Sequence, residues 1–176
     1  MRYRRADYAG GCYFFTVNLA NRRSALLVES IEILRGVMRQ VMRRHPFHID
    51  AMVVLPDHLH VVWTLPPNDR DFSTRWMLIK AGFSKHVGQS ESISLSRQGK
   101  GERGIWQRRY WEHLIRDDED YANHVAYIHH NPVKHGYVDR AADWPHSSIH
   151  RYIRLGLIPS TWGATEIPDG THGERR

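Results

Sequence analysis

A single cysteine, Cys12, stands in the 176 residues of this chain. It excludes an internal disulfide and a cysteine-rich zinc knuckle, and it fits a reducing compartment, so a cytoplasmic location is expected. No apolar run approaches bilayer-spanning length, and the basic start Met1-Arg2-Tyr3-Arg4-Arg5 is not followed by the apolar stretch of a secretory leader. No membrane association is expected. Internal repeats and coiled-coil heptads are also lacking, and nothing in the composition marks a second domain. One compact domain over 1–155, followed by a C-terminal tail over 156–176, is the expected organisation.

What is present is core material and positive charge. A hydrophobic fraction of 41%, with six Trp, eight Tyr and five Phe, supplies a core and argues against wholesale disorder. Lys and Arg number 25 against 19 Asp and Glu, a formal charge of +6, and they interleave with aromatics in Trp106-Gln107-Arg108-Arg109-Tyr110-Trp111. Cations neutralise phosphates while aromatic faces stack on unpaired bases, so this suits single-stranded nucleic acid. A charge excess alone is equally a solubility feature.

Periodicity gives the elements. Cys12 to Asn18 is aromatic and β-branched and reads as a buried strand. From Ser30, the apolar residues Ile31, Leu34, Val37, Met38, Val41 and Met42 recur at helical spacing until Pro46. Phe47, Ile49, Ala51 and Val53 alternate, Pro56-Asp57 turns the chain, and Leu59, Val61 and Trp63 alternate again, which predicts a β-hairpin. Phe72 to Val87 predicts a second helix, Gly88 to Gly104 a surface loop, and Ile105 to Ile115 a strand. The acidic run from Asp117 to Asp120 predicts a helix start, with the helix running to about His130 before Pro132 and Gly136. Ser147 to Leu155 reads as a short helical piece. The order β-α-β-β-α-β plus a helix predicts an α+β fold, a ferredoxin-like or RRM-like antiparallel sheet with helices on one face and a C-terminal extension.

His58 and His60 flank Leu59 in the second arm of the hairpin. Strand alternation sends both imidazoles to one side, so both can reach one metal ion. Two histidines so spaced are also compatible with mere exposure on a half-buried strand, and Val61-Val62-Trp63 adds none of the further ligands of a zinc hydrolase. Tyr127 and Asn131 stand four apart on the expected helix, with His124 a turn earlier, so phenol and amide share a face. On spacing alone they read first as a core aromatic and a helix-end residue before Pro132.

Four segments in collinear order change that balance: Leu55-Pro56-Asp57-His58-Leu59-His60; Trp106 to Asp118; Tyr127 to Gly136; and Asp143-Trp144-Pro145 with Ser147-Ser148 and His150-Arg151-Tyr152. Together they resemble the single-tyrosine HUH transposases of the IS200/IS605 type, and within these the REP-associated tyrosine transposases. The resemblance spans the chain from the first strand to about Tyr152.

It implies a metal-dependent endonuclease and transposase that cuts and rejoins single-stranded DNA at hairpins, with Tyr127 as the nucleophile. His58 and His60 would bind Mg²⁺ or Mn²⁺, with Asn131 as a third ligand. Imidazoles make Mn²⁺ at least as suitable as Mg²⁺. Tyr3, Arg4 and Arg5 are the implied contacts to a tetranucleotide preceding the hairpin, and Arg108, Arg109 and Lys134 to its backbone, though each is also readable as a solvated surface residue. Glu112 and His113 would brace the metal ligands. A monomer is expected, with a dimer, as in the IS200/IS605 relatives, as the alternative. Two rival functions are a hairpin-binding protein that does not cleave and a hydrolase of small phosphoesters. The first needs none of the four site residues, and the second needs neither the tyrosine nor the basic aromatic surface.

Overall fold

The computed structural model describes residues 9–88, 99 and 103–163. Tyr3, Arg4 and Arg5, and most of the expected surface loop and C-terminal tail, lie outside them. Four strands, β1 (Cys12–Asn18), β2 (His48–Val54), β3 (His58–Thr64) and β4 (Trp111–Leu114), form one antiparallel sheet in the order β2-β3-β1-β4. The helices are α1 (Leu26–Glu29), α2 (Ile31–Arg44), α3 (Phe72–His86), α4 (Asp118–Lys134) and α5 (Ile149–Arg154). This is the ferredoxin-like layout expected of the sequence. Its two crossover helices, α2 and α3, share one face of the sheet, while α4 covers the other.

Strand alternation divides the core between those faces. Tyr13, Phe15 and Val17 of β1, with Leu59, Val61 and Trp63 of β3, meet Leu34, Val37, Met38 and Val41 of α2 and Phe72, Trp76, Ile79 and Phe83 of α3. Trp63 stacks on Trp76 with ring centroids 4.5 Å apart. Burying each of these large side chains contributes about 1.5–3 kcal/mol. The α2–α3 crossing is close enough that a Cβ on Gly82 would lie 2.8 Å from a Val37 methyl. On the opposite face Phe14, Val53, Leu55 and Val62 pack with Val125, Tyr127 and Ile128 of α4.

Three boundaries depart from the sequence expectation. The strand expected over Ile105 to Ile115 is confined to Trp111–Leu114, with an isolated bridge from Trp106 to Leu19. Between them the Gln107 carbonyl accepts from Lys80 at 2.9 Å and Tyr110 packs on Phe15 and Trp76, so the chain leaves the ladder and Arg108 and Arg109 are exposed. Helix α4 runs past His130 to Lys134 with Pro132 inside its last turn. It ends in a Schellman motif: Gly136 has φ +71°, its N–H donates to the Val133 carbonyl at 2.9 Å, and the Tyr137 N–H donates to the Pro132 carbonyl at 3.0 Å. The helical piece expected from Ser147 starts at Ile149, because residues 146–148 bond along β2, with Val54 N–H to the His146 carbonyl and Ser148 N–H to the Met52 carbonyl, so this sheet edge is covered. No described helix is long and apolar enough to cross a membrane.

Candidate active site

The second face of the sheet gathers the four residues singled out in the sequence. In the β1–β3 register Thr16 opposes His60 and Asn18 opposes His58, which puts both imidazoles under α4. Their ring centroids are 5.0 Å apart. The Tyr127 ring stands 5.3 Å from His60 and 6.0 Å from Phe14. Asn131, one turn further along α4, is fully buried, and so in effect are His58, His60 and Tyr127. Lys134 and His135 are exposed beside them, His135 with its ring 5.2 Å from that of His58, so the mouth of the site lies at the C-terminal end of α4.

Each histidine is fixed through Nδ1. His58 Nδ1 and Asp57 Oδ1 are 2.7 Å apart, and His60 Nδ1 and Thr16 Oγ1 are 2.8 Å apart. Burial alone would raise the Asp57 carboxyl, but its bond to His58 and the charges of His58 and Arg22 outweigh that and hold it below the usual carboxylate range. Arg22 Nε lies 3.1 Å from Asp57 Oδ2. A carboxylate or hydroxyl on the far nitrogen is the arrangement that orients metal-binding imidazoles, and with Nδ1 so engaged a cation would be met through Nε2. The residues present therefore fit a divalent cation.

Lys134, expected on the DNA backbone, reaches the tyrosine: Nζ donates to Tyr127 Oη at 3.3 Å and lies 4.7 Å from the ring centroid. Arg108 and Arg109 are elsewhere, in the exposed segment before β4.

The expected bracing by Glu112 and His113 is corrected. Glu112 opposes Phe15 and so faces α2 and α3. His113 faces α4 but engages Asp120 and His124, and the Phe14 ring intervenes, 4.7 Å from His124 and 5.6 Å from His60.

Sequence reasoning missed Thr16 and the Lys134–Tyr127 contact. Spacing signals the latter, since positions seven apart share a helix face. Thr16 depends on the strand register and carries no local signal.

An antiparallel sheet with a histidine pair on one strand, faced by a helical tyrosine, defines the class. The chain belongs to the IS200-like transposases, a family of DNA-processing enzymes, whose model matches residues 9–131. Within it the chain falls among the REP-associated tyrosine transposases. The protein of that name from Escherichia coli (strain K12) is 47% identical over 173 residues, 98% of this chain and 96% of that one. A Haemophilus influenzae relative is 44% identical over 162 residues, 92% of each chain. A solved structure of a REP-associated tyrosine transposase bound to a REP hairpin superposes with a TM-score of 0.85 at 46% identity, covering 100% of this chain and 98% of that one.

Proposed function

We propose that this chain cleaves and rejoins single-stranded DNA at REP-like hairpins through a 5′-phosphotyrosine on Tyr127. The observation that carries the reading is the convergence, within one chain, of Tyr127 and Asn131 of α4 on His58 and His60 of β3, with the His60 and Tyr127 rings 5.3 Å apart. The hairpin in the 46% identical structure supports the substrate class.

His58, His60 and Asn131 would hold Mg²⁺ or Mn²⁺, which when bound polarises the scissile phosphate. Tyr127 Oη attacks phosphorus as the P–O3′ bond breaks; the phenol loses its proton and the departing 3′ oxygen gains one. Lys134 holds the hydroxyl by its 3.3 Å bond and supplies positive charge where the phenolate develops. The phosphotyrosine retains the energy of the broken diester, so the free 3′-OH can attack it and rejoin the strand. Arg108 and Arg109 would meet the DNA backbone, and Tyr3, Arg4 and Arg5 the unpaired nucleotides before the hairpin. Because no second chain is needed to complete the set, a monomer suffices.

The test incubates end-labelled single-stranded hairpins with the protein and Mn²⁺, wild type beside Tyr127→Phe and His60→Ala, followed by denaturing electrophoresis. A protein-linked DNA band is expected from wild type only, with binding largely kept in both variants. Cleavage that persists in Tyr127→Phe would make water the nucleophile. Hairpin binding with no covalent band for any sequence would favour the non-cleaving binder.

A further inference from the structure

A second group of metal-ligating side chains lies on the other side of Phe14. His113 comes from β4, and Asp120 and His124 from the first turns of α4; these three bring ligand atoms within 4.8 Å of one another. Asp120 Oδ2 is 2.8 Å from His113 Nε2, and Asp120 Oδ1 is 3.0 Å from His124 Nδ1. The two imidazoles stack, 4.7 Å apart at 18°.

We propose that His113, Asp120 and His124 form a second divalent-cation site, suited to Zn²⁺, that clamps β4 to the helix carrying the nucleophile. Two imidazoles and one carboxylate are a donor set that Zn²⁺ accepts, with a fourth position for water. His113 and Asp120 keep 18% of their side-chain surface, which gives an ion a way in, while His124 is buried against Phe14. The carboxylate is held as an anion: burial opposes this, but the His113 bond, the Arg116 N–H at 3.0 Å and the nearby histidines outweigh it. In the metal-free protein His124 Nδ1 also lies 2.8 Å from the Asp120 backbone carbonyl, so an ion bound here takes the place of that contact and of the two carboxylate bonds.

The site is separate from the histidine pair. Phe14 lies between His124 and His60, and no residue is common to the two sets. His124 precedes Tyr127 by three residues on α4, so an ion bound here joins β4 and α4 close to the reacting phenol. This inference does not depend on the cleavage reaction.

The test is titration of chelator-stripped, full-length protein with Zn²⁺ against a chromophoric chelator, with thermal midpoints measured in parallel. Wild type is expected to take up Zn²⁺ with a rise in midpoint. The double variant His58→Ala/His60→Ala should keep one equivalent and the rise. His124→Gln and Asp120→Asn should each weaken that equivalent at least about tenfold. His113→Gln, at the more exposed rim, carries the same comparison should His124→Gln not fold. The proposal is overturned if the double variant binds no Zn²⁺, or if neither His113→Gln nor Asp120→Asn lowers the affinity of the double variant's remaining equivalent.

Discussion

The Lys134 ammonium donates to the Tyr127 hydroxyl at 3.3 Å and lies over the same ring, 4.7 Å from its centroid. A cation there favours the phenolate that the proposed cleavage requires. A hydrogen bond to a charged group is worth about 1.5–3 kcal/mol, so Lys134→Met should slow single-turnover formation of the covalent product roughly 10- to 150-fold at saturating DNA. Lys134→Arg should restore part of the rate. A variant that loses hairpin affinity and salt dependence but keeps the saturated rate would instead place Lys134 on the DNA backbone.

Asp57 touches the site only through His58, whose Nδ1 lies 2.7 Å from its carboxylate. Asp57→Asn keeps the shape but weakens the anchor on His58 Nδ1 and leaves Arg22 without its anionic partner. The expected result is a 10- to 100-fold rise, roughly, in the Mn²⁺ concentration needed for half-maximal cleavage, with hairpin binding unchanged. Thr16→Val should shift the same curve less, because the hydroxyl it removes from His60 is neutral. A metal curve unmoved by Asp57→Asn would reduce that carboxylate to a loop contact with Arg22.

Local periods made the shared faces legible in the sequence, while the roles given to the residues on them came from the family resemblance. His58 and His60 are two apart on a strand, and Tyr127 and Asn131 are four apart on a helix, so each pair declares a shared face before any tertiary contact is known. That the two faces meet is a tertiary fact: it requires the β2-β3-β1-β4 order and α4 on the side opposite α2 and α3. Thr16 reaches His60 only through the β1–β3 register, 44 residues away. The strand expected from Ile105 failed for a similar reason. Its alternating aromatics are real, but Lys80 takes the Gln107 carbonyl and Tyr110 turns into the core, neither of which a local pattern records.

Arg75 illustrates a buried charge whose role is structural. Its side chain is 3% exposed, pairs with Asp69 at 2.6 Å and donates to the carbonyls of Pro46 and Asp71, each at 2.7 Å, and of His45 at 3.2 Å. Arg75→Met preserves much of the volume but strips those carbonyls of their donor. The expected loss is about 2–4 kcal/mol in urea unfolding, with the metal dependence of any residual activity unchanged. A loss under about 0.5 kcal/mol would mean that water replaces the guanidinium without strain.

His129 couples the stability of the α4–α5 contact to pH. Its ring meets Tyr152 at 4.7 Å and Nε2 lies 2.9 Å from Ser148 Oγ. Burial, followed by the charges of Arg151 and His150, pushes its pKa down to about 4. An unfolded histidine titrates near about 6.5, so between these values the unfolded chain binds a proton that the folded chain refuses. Stability is therefore complete above about pH 6.5 and falls as the pH drops toward 4, by on the order of 3 kcal/mol if no other group compensates. His129→Gln cannot titrate there. It should be less stable than wild type at pH 7, where it loses packing, and the gap should narrow by at least ~1 kcal/mol at pH 4.5 in urea titrations with a chelator present. Carboxylates that titrate in this range do so in both proteins and cancel in the comparison. A gap of equal size at both pH values would show that His129 takes up its proton without unfolding the contact.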